Sequence, residues 1–369
     1  MLKKAGTLLL ICASLATWIS CGKTTNHFVY AAINASNEIY VFREDPNSGV
    51  LTQLSLSPIG AGVGIQTLLI HPSNKYLYAS NSGEGDVSLF AISSDGALNE
   101  VLPRTPVGVG PTAMVMDSAG AYLYVANSGG NSVSVFSIGS GGALTPVLQG
   151  PQGSGSGGGT GSTQASVGLV PLDMAIDPSG SILYITGNGT LGSEIQVFSL
   201  NAGVLTSTAG SPYQTGTDPQ GVVVSPSGAN VYTANTNDDS VSEFTSASGA
   251  LTPVAGSPFG GSTFASPNSL YISKTGGFLC VTNKGSSNIS VYAIASDGSL
   301  SVISASPFAS VAAPSVIAGD PNGEYIFVGN QQAGQTAVQS FAVTASSGIL
   351  TAIASYKLPG TATSIVVLP

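Results

Sequence analysis

Leu123-Tyr124-Val125-Ala126-Asn127, Ser132-Val133-Ser134-Val135-Phe136 and Gly142-Ala143-Leu144-Thr145-Pro146-Val147 make up one phrase of this chain, and relatives of that phrase occur seven times. Each run alternates β-branched or aromatic residues with small ones, and each is bounded by Gly, Asn, Ser or Pro. That is the pattern of short strands separated by turns. The period is about 46–48 residues, long enough for four strands per copy. Aligning the copies gives B strands centred on Tyr30, Tyr78, Tyr124, Tyr184, Tyr232, Cys280 and Phe327. The C strands end near Phe42, Phe90, Phe136, Phe198, Phe244, Tyr292 and Phe341, and the D strands carry Leu51, Leu98, Leu144, Leu205, Leu251, Leu300 and Leu350. A strands precede the B strands in only six copies: Gln66-Ile70, Thr112-Met116, Leu172-Ile176, Gln220-Val224, Asn268-Ile272 and Ser315-Ala318. The first copy begins directly at Phe28-Val29-Tyr30, and its missing A strand matches Thr363-Ser364-Ile365-Val366-Val367-Leu368. The count predicts an all-β, seven-bladed propeller with four-stranded antiparallel blades, closed when the C-terminal strand joins the first blade. Closure removes the open sheet edges that a linear array would leave.

The first residues follow a different logic. Lys3 and Lys4 form a positive head, Ala5–Thr17 an apolar core too short to span a membrane, and Trp18-Ile19-Ser20-Cys21-Gly22 a box of the kind that precedes a lipidated cysteine. The expected organisation is a lipoprotein signal peptide over 1–21 ending at lipidated Cys21, a short tether over 22–27 and the propeller over 28–369. The product would be exported and lipid-anchored in the bacterial cell envelope, with outer-membrane or periplasmic placement expected. An ordinary cleaved secretory signal is the other reading. Cys280 is then the sole cysteine of the mature chain; it holds a strand position that is Tyr elsewhere and is expected to be a buried core thiol. The insertion 151–166, with Gly153-Ser154-Gly155-Ser156-Gly157-Gly158-Gly159, reads as a flexible surface loop. No Lys follows it and no helix, so it is not a phosphate loop.

Only 7% of the residues are charged and the net charge is −9. A surface dressed in Ser, Thr, Asn and Gly with a negative balance excludes nucleic acid and anionic membrane surfaces as partners. A closed ring offers no edge for sheet pairing, so a monomer is expected.

Tyr124-Val125-Ala126-Asn127 and Cys280-Val281-Thr282-Asn283 resemble the repeat named for Tyr-Val-Thr-Asn. Over residues 28–368 the chain resembles the seven-bladed propeller family grouped with 6-phosphogluconolactonase, and the connectors Ala255-Gly256-Ser257-Pro258-Phe259 and Ser304-Ala305-Ser306-Pro307-Phe308 resemble those of its exported bacterial members. The resemblance implies a lactone hydrolase that uses polar and charged groups at the channel mouth to polarise the carbonyl and activate water. The repeat itself encodes blade packing, and a fold does not fix an activity.

The mouth is expected on the face carrying the D-to-A and B-to-C loops. Its ionisable inventory is Asp173, Asp218, Glu38, Glu84, Asp86, Glu194, Asp238 and Asp239 against Arg104 and Lys284. An acidic mouth repels a phosphorylated sugar-acid lactone: one carboxylate–phosphate pair about 4 Å apart costs roughly 4 kcal/mol at an effective dielectric near 20. Asp173 stands out because the other copies have Thr67, Ala113, Gly221, Ser269, Val316 or Ser364 at its position. It serves either as a water-activating or cation-binding carboxylate or as an acceptor for loop amides. Asp218, which precedes Pro219, serves the site or starts a turn. Arg104 is the one arginine near the mouth. Asp173, Asp218 and Arg104 are therefore the candidate catalytic set. His71 aligns with turn residues on the opposite face, Arg43 points to that face too, and His27 is expected at the surface. No Cys/His set suggests zinc, and no metal site or cofactor is expected. The oxygen-rich run Asn235-Thr236-Asn237-Asp238-Asp239 is the one place for Ca²⁺ or Mg²⁺, and it lacks calcium-loop spacing. Two functions stand: a lactone hydrolase, with a small-molecule lactone as partner, and a non-catalytic envelope propeller that binds a protein or glycan.

Overall fold

The computed structural model describes residues 27–150, 162–260, 265–330 and 336–369. Cys21 and the glycine run 153–159 lie outside the described residues. Seven antiparallel sheets are arranged as the repeat count requires. The first blade is built from the C-terminal strand Ala362–Leu368 as strand A, then His27–Ile33, Glu38–Glu44 and Leu51–Gln53. The terminal strand pairs Phe28↔Leu368 through Ala32↔Ser364. Blades 2 to 7 open with A strands at Ile65–Ile70, Pro111–Met116, Val170–Ile176, Pro219–Val224, Pro267–Ile272 and Pro314–Gly319, and each runs outward through B and C to D.

The motif residues earn their recurrence through contacts between blades. The Tyr30 hydroxyl donates to the Gly96 carbonyl at 3.0 Å, Tyr78 to Gly142 at 2.7 Å and Tyr232 to Gly298 at 2.8 Å. Each bond ties a B strand to the C-to-D turn of the following blade. The turn glycine has positive φ, and a Cβ at Gly96 would stand 2.3 Å from the Phe28 ring of blade 1. Only glycine fits there. The Asn that ends the motif is fully buried and spans its own B-to-C turn: Asn127 Nδ2 donates to Ser132 and Ser134, and Asn235 Nδ2 to Ser240 and Ser242.

The Ser-Pro connectors have a local task that the strand pattern does not reveal. Ser57, Ser211, Ser257 and Ser306 accept through Oγ from the C-strand amides of Val41, Val197, Glu243 and Val291, at 2.8–2.9 Å. The residues that follow add a fifth, two-residue edge strand in four blades, at Ile59–Gly60, Tyr213–Gln214, Phe259–Gly260 and Phe308–Ala309. In blade 3 that edge is Gln164–Ser166, paired with Ser132–Ile138. The expected loop 151–166 therefore ends in a strand: Ala165 is an apolar residue that packs into the blade core. Cys280 is buried, and burial pushes its thiol up to about 12.

His27 is not at the surface. It is the first residue of its B strand, 4% exposed, in register with Glu44. Its place just before the apolar run put it outside; the opening strand begins one residue earlier than that run.

One carboxylate breaks the core pattern. The residue facing the B-strand aromatic position is Val41, Leu89, Val135, Val197, Val291 or Ser340 in six blades and Glu243 in blade 5. Glu243 is fully buried, and neither carboxylate oxygen has a hydrogen-bond partner. Burial, with the Asp297 charge in addition, raises its pKa to about 7. Folded protein thus holds this proton more tightly than unfolded chain. The associated stability is intact below about 4.5 and disappears as pH rises through about 7. Glu243→Gln should therefore raise the melting temperature at pH 8 and leave it nearly unchanged at pH 5; an equal effect at both pH values would contradict a buried, titrating carboxyl.

Closure can be tested the same way. Ile365 is 4% exposed and packs in a core cluster shared by the first and seventh blades. Ile365→Ala should cost about 2–5 kcal/mol in denaturant unfolding. Val302→Ala, at a half-exposed outer-strand position, should stay within about 0.5 kcal/mol.

Candidate functional site

All seven A strands enter the ring in the same way. The strand begins with Pro in five of them, at Pro111, Pro171, Pro219, Pro267 and Pro314, directly or one residue inside its start. Proline fixes its own φ and needs no ladder partner, so it suits the first residues of a strand. The register against the B strand then shifts in every blade, between Pro171 and Asp173, between Pro219 and Gly221, and at the matching points of the other five. A bulge leaves its extra residue unpaired and re-aims the side chain. The residues so released are Gln66, Thr112, Leu172, Gln220, Asn268, Ser315 and Thr363, and all seven line the mouth of the central channel.

The mouth is a cavity of about 220 Å³. Below this first ring lies a second of small side chains, Thr67, Ala113, Asp173, Ser269, Val316 and Ser364. Deeper still the wall turns apolar, with Val115, Ala175, Val223 and Tyr271 around a space of about 390 Å³. The second ring also stitches the blades together. Ser364 Oγ accepts the amide of Leu68 in the next blade at 3.0 Å, and the Thr67 hydroxyl donates to the Thr112 carbonyl at 2.8 Å. Gly221 has no side chain to offer: a Cβ there would meet the Asn268 carbonyl at 2.6 Å.

Asp173 occupies the same kind of position. Its Oδ2 accepts the amide of Val222 in the next blade at 2.9 Å, the bond that Ser364 makes to Leu68, and its Oδ1 accepts the amide of Met174 at 2.9 Å. It is the one ionisable side chain among the described residues lining the mouth. Burial raises its pKa to about 6, against the pull of the two backbone amides, which favour the anion. Asp218 stands behind the wall. It has a left-handed φ of 61°, a conformation shared by Gly64, Gly110, Ser266 and Ala313 at the equivalent turns. Its Oδ1 accepts from Gln220 Nε2 at 2.9 Å, which leaves the Gln220 carbonyl oxygen to serve the channel.

Arg104 is not brought to this pair. It lies in the outermost strand of blade 2, Leu98–Pro106; its Nε donates to Glu100 at 2.7 Å and its Nη1 to Glu84. Those carboxylates hold the guanidinium pKa above its ordinary value, Glu100 first. The sequence placed Arg104 on a connector, but here the D strand and the edge strand have fused into one run that keeps it on the rim. Glu194 also leaves the mouth inventory: it is buried and accepts from Gln196 Nε2 and the Leu191 amide. Asp238 and Asp239 are turn carboxylates that accept the amides of Thr217 and Ser266. His71 bonds Ser73 and the Gly120 carbonyl, as a turn residue on the far face. The bulges were missed from sequence; a Pro-polar-small triplet marks four of them, at Pro111, Pro219, Pro267 and Pro314.

Among solved structures, a candidate 6-phosphogluconolactonase of Bacteroides fragilis shares 20% identity over 94% of this chain and 99% of its own, with a TM-score of 0.79. The periplasmic gluconolactonase of Pseudomonas aeruginosa shares 18% identity over 94% and 99%, also at 0.79. At this identity the likeness is one of fold. No curated protein matches the sequence. The model of the seven-bladed β-propeller lactonases matches residues 21–367, and the chain belongs to that family.

Proposed function

We propose that this protein hydrolyses a neutral, hydroxyl-bearing lactone in the channel mouth, with Asp173 as general base. The observation that carries the reading is a lone carboxylate of raised pKa within a ring of amides and hydroxyls. A carboxyl poised near 6 is deprotonated at neutral pH yet basic enough to take a proton from water. Water attacks the lactone carbonyl carbon while Asp173 accepts its proton. Amide N–H groups at the lip, such as that of Asn268, receive the developing oxyanion. The ring C–O bond then breaks, and the departing alkoxide recovers the proton from Asp173, leaving a hydroxy acid. Asp218 acts through Gln220 and is a positioning residue. Arg104, committed to Glu84 and Glu100, has no reacting role in this scheme. Export fits the N-terminal segment: its charged head, apolar core and Cys21 support a lipid anchor. Among the described residues no helix is long and apolar enough to cross a membrane.

A second reading has its own observation. Both oxygens of Asp173 accept backbone amides, one of them across a blade boundary, as Ser364 does. On that reading Asp173 is a strut and the mouth of a non-catalytic envelope propeller binds a protein or glycan.

Asp173→Ser separates the two, because serine can keep the bond to Val222 and cannot act as a base. With a panel of lactones, the hydrolase reading expects kcat to fall about 10²–10⁴-fold with the melting temperature nearly unchanged. Wild-type kcat/KM should drop tenfold per pH unit below about 6, where Asp173 is protonated. Equal turnover in Asp173→Ser would remove the catalytic assignment.

Substrate charge gives a further expectation. No Lys or Arg is among the described residues lining the mouth. A neutral aldonolactone should therefore exceed its phosphorylated counterpart in kcat/KM by about tenfold or more, as carboxylate–phosphate repulsion requires. The reverse order in a stopped-flow ring-opening assay would overturn the neutral-substrate reading.

A further inference from the structure

Below the polar mouth the channel carries a ring that neither the blade cores nor the reaction at Asp173 uses up. Side chains alternate along a strand, so the residue two places after the second ring faces the axis again. That third ring is Leu69, Val115, Ala175, Val223, Ala318 and Val366, with Tyr271 in blade 6. Six of the seven are aliphatic. The residues between the two rings are buried in the blade cores, from Leu68 at 2% to Leu270 and Ile317 at 7%. The third-ring residues are all only half-buried. What they leave open is the channel: Val115, Ala175, Val223 and Tyr271 border the space of about 390 Å³.

The change in chemistry along the axis is complete within one step of the strands. The first two rings offer amides, hydroxyls and one carboxylate around about 220 Å³. The only polar side-chain atom of the third ring is the Tyr271 hydroxyl, and it leans over blade 7, where a Cβ at Gly319 would collide with it. The apolar wall continues through Val224 and Ile272 to Ser273 and Lys274 at the far end. Ser269 and Ser273 are four residues apart on one strand, so this stretch runs about 13 Å along the axis. The second ring consists of small side chains and, at Gly221, of none, so it puts little bulk between the two spaces. Apolar surface held open to water costs free energy, and binding an apolar group recovers it.

We propose that the lactone taken by this mouth carries an unbranched alkyl chain, which lies along the axis within the third ring and below it. The inference rests on the hydrolase reading and adds the substrate class: an uncharged, hydroxyl-bearing lactone head with an aliphatic tail. The head occupies the polar cavity with its carbonyl carbon toward the water that Asp173 deprotonates. The tail passes the small second ring and covers the aliphatic side chains of the third. It is remote from the reacting carbon and contributes equally before and during the reaction, so it lowers KM and leaves kcat nearly constant.

The test compares the 6-O-butyl and 6-O-octyl ethers of δ-gluconolactone, below micellar concentrations, and titrates the corresponding unreactive lactams in a calorimeter. Each buried methylene should tighten binding about threefold, so kcat/KM should rise roughly a hundredfold from butyl to octyl, through KM, and the lactam Kd should fall by the same factor. Ala175→Gln, which sets an amide in the path of the tail, should cut the octyl-to-butyl ratio about tenfold or more. Val223→Thr is nearly isosteric, keeps the test open if Ala175→Gln does not fold, and should lower the ratio about threefold. Chain-dependent lactam binding without turnover of any lactone would overturn the hydrolase reading and uphold the tail channel. The proposal is overturned if kcat/KM and lactam Kd are the same for butyl and octyl. It is equally overturned if both variants keep the wild-type octyl-to-butyl ratio.

Discussion

The constraint on which everything else rests is that the last strand must pair with the first copy. A four-stranded blade has two apolar faces and can bury them only against neighbours on both sides. Six blades in a row would leave two such faces open, and an unpaired edge besides. Pairing Ala362–Leu368 with His27–Ile33 completes the seventh sheet and turns a row into a ring. Once the ring is closed, each core cluster draws on two successive blades, as in the group that joins Val29 and Phe42 to Phe327 and Val338. The tyrosine bonds to glycine carbonyls repeat that linkage at three of the blade junctions.

Closure also builds the site. It brings seven A strands to one axis, and the bulge in each turns a side chain toward it, polar in all but Leu172. At the mouth, ladder hydrogen bonds are given up for a re-aimed residue, and the second ring replaces part of them with bonds between blades. Asp173 belongs to both systems at once. Its carboxylate fixes the neighbouring strand through Val222 and presents the only charge in the ring of described residues. A group held by two amides has little orientational freedom, which suits a base that must meet water at a defined point.

Strand identity and blade number were legible in the sequence because alternation and turn residues are local signals, and because a missing A strand at one end matched a spare one at the other. The position of Asp173 in the channel followed from the same alignment. The bulges were less legible, since a bulge is a matter of register and leaves a Pro-polar-small triplet as a trace in only four of the seven A strands. Arg104 lies in a D strand that runs on into the edge position, where the sequence suggested a connector, and no residue type announces such a fusion. His27 was misplaced because its burial depends on Glu44, its strand partner, and on Asp320 of blade 7, nearly three hundred positions away.

A repeat that satisfies every blade equally can fold and cannot, by itself, do anything at one place. Chemistry needs asymmetry, and this chain introduces it by single departures. Asp173 replaces a small residue, Glu243 a core valine and Glu44 a core aliphatic. Each is a carboxylate in a chain with few charges, and each lies where two blades meet. Local consistency fails in natural proteins mainly at sites under functional demand. Two of these departures differ in how they are accommodated: Asp173 by the backbone amides of Met174 and Val222, Glu243 by a proton. The difference follows from the donors within reach: two backbone amides favour the anion at Asp173, and none meets the Glu243 oxygens, where burial favours the neutral acid.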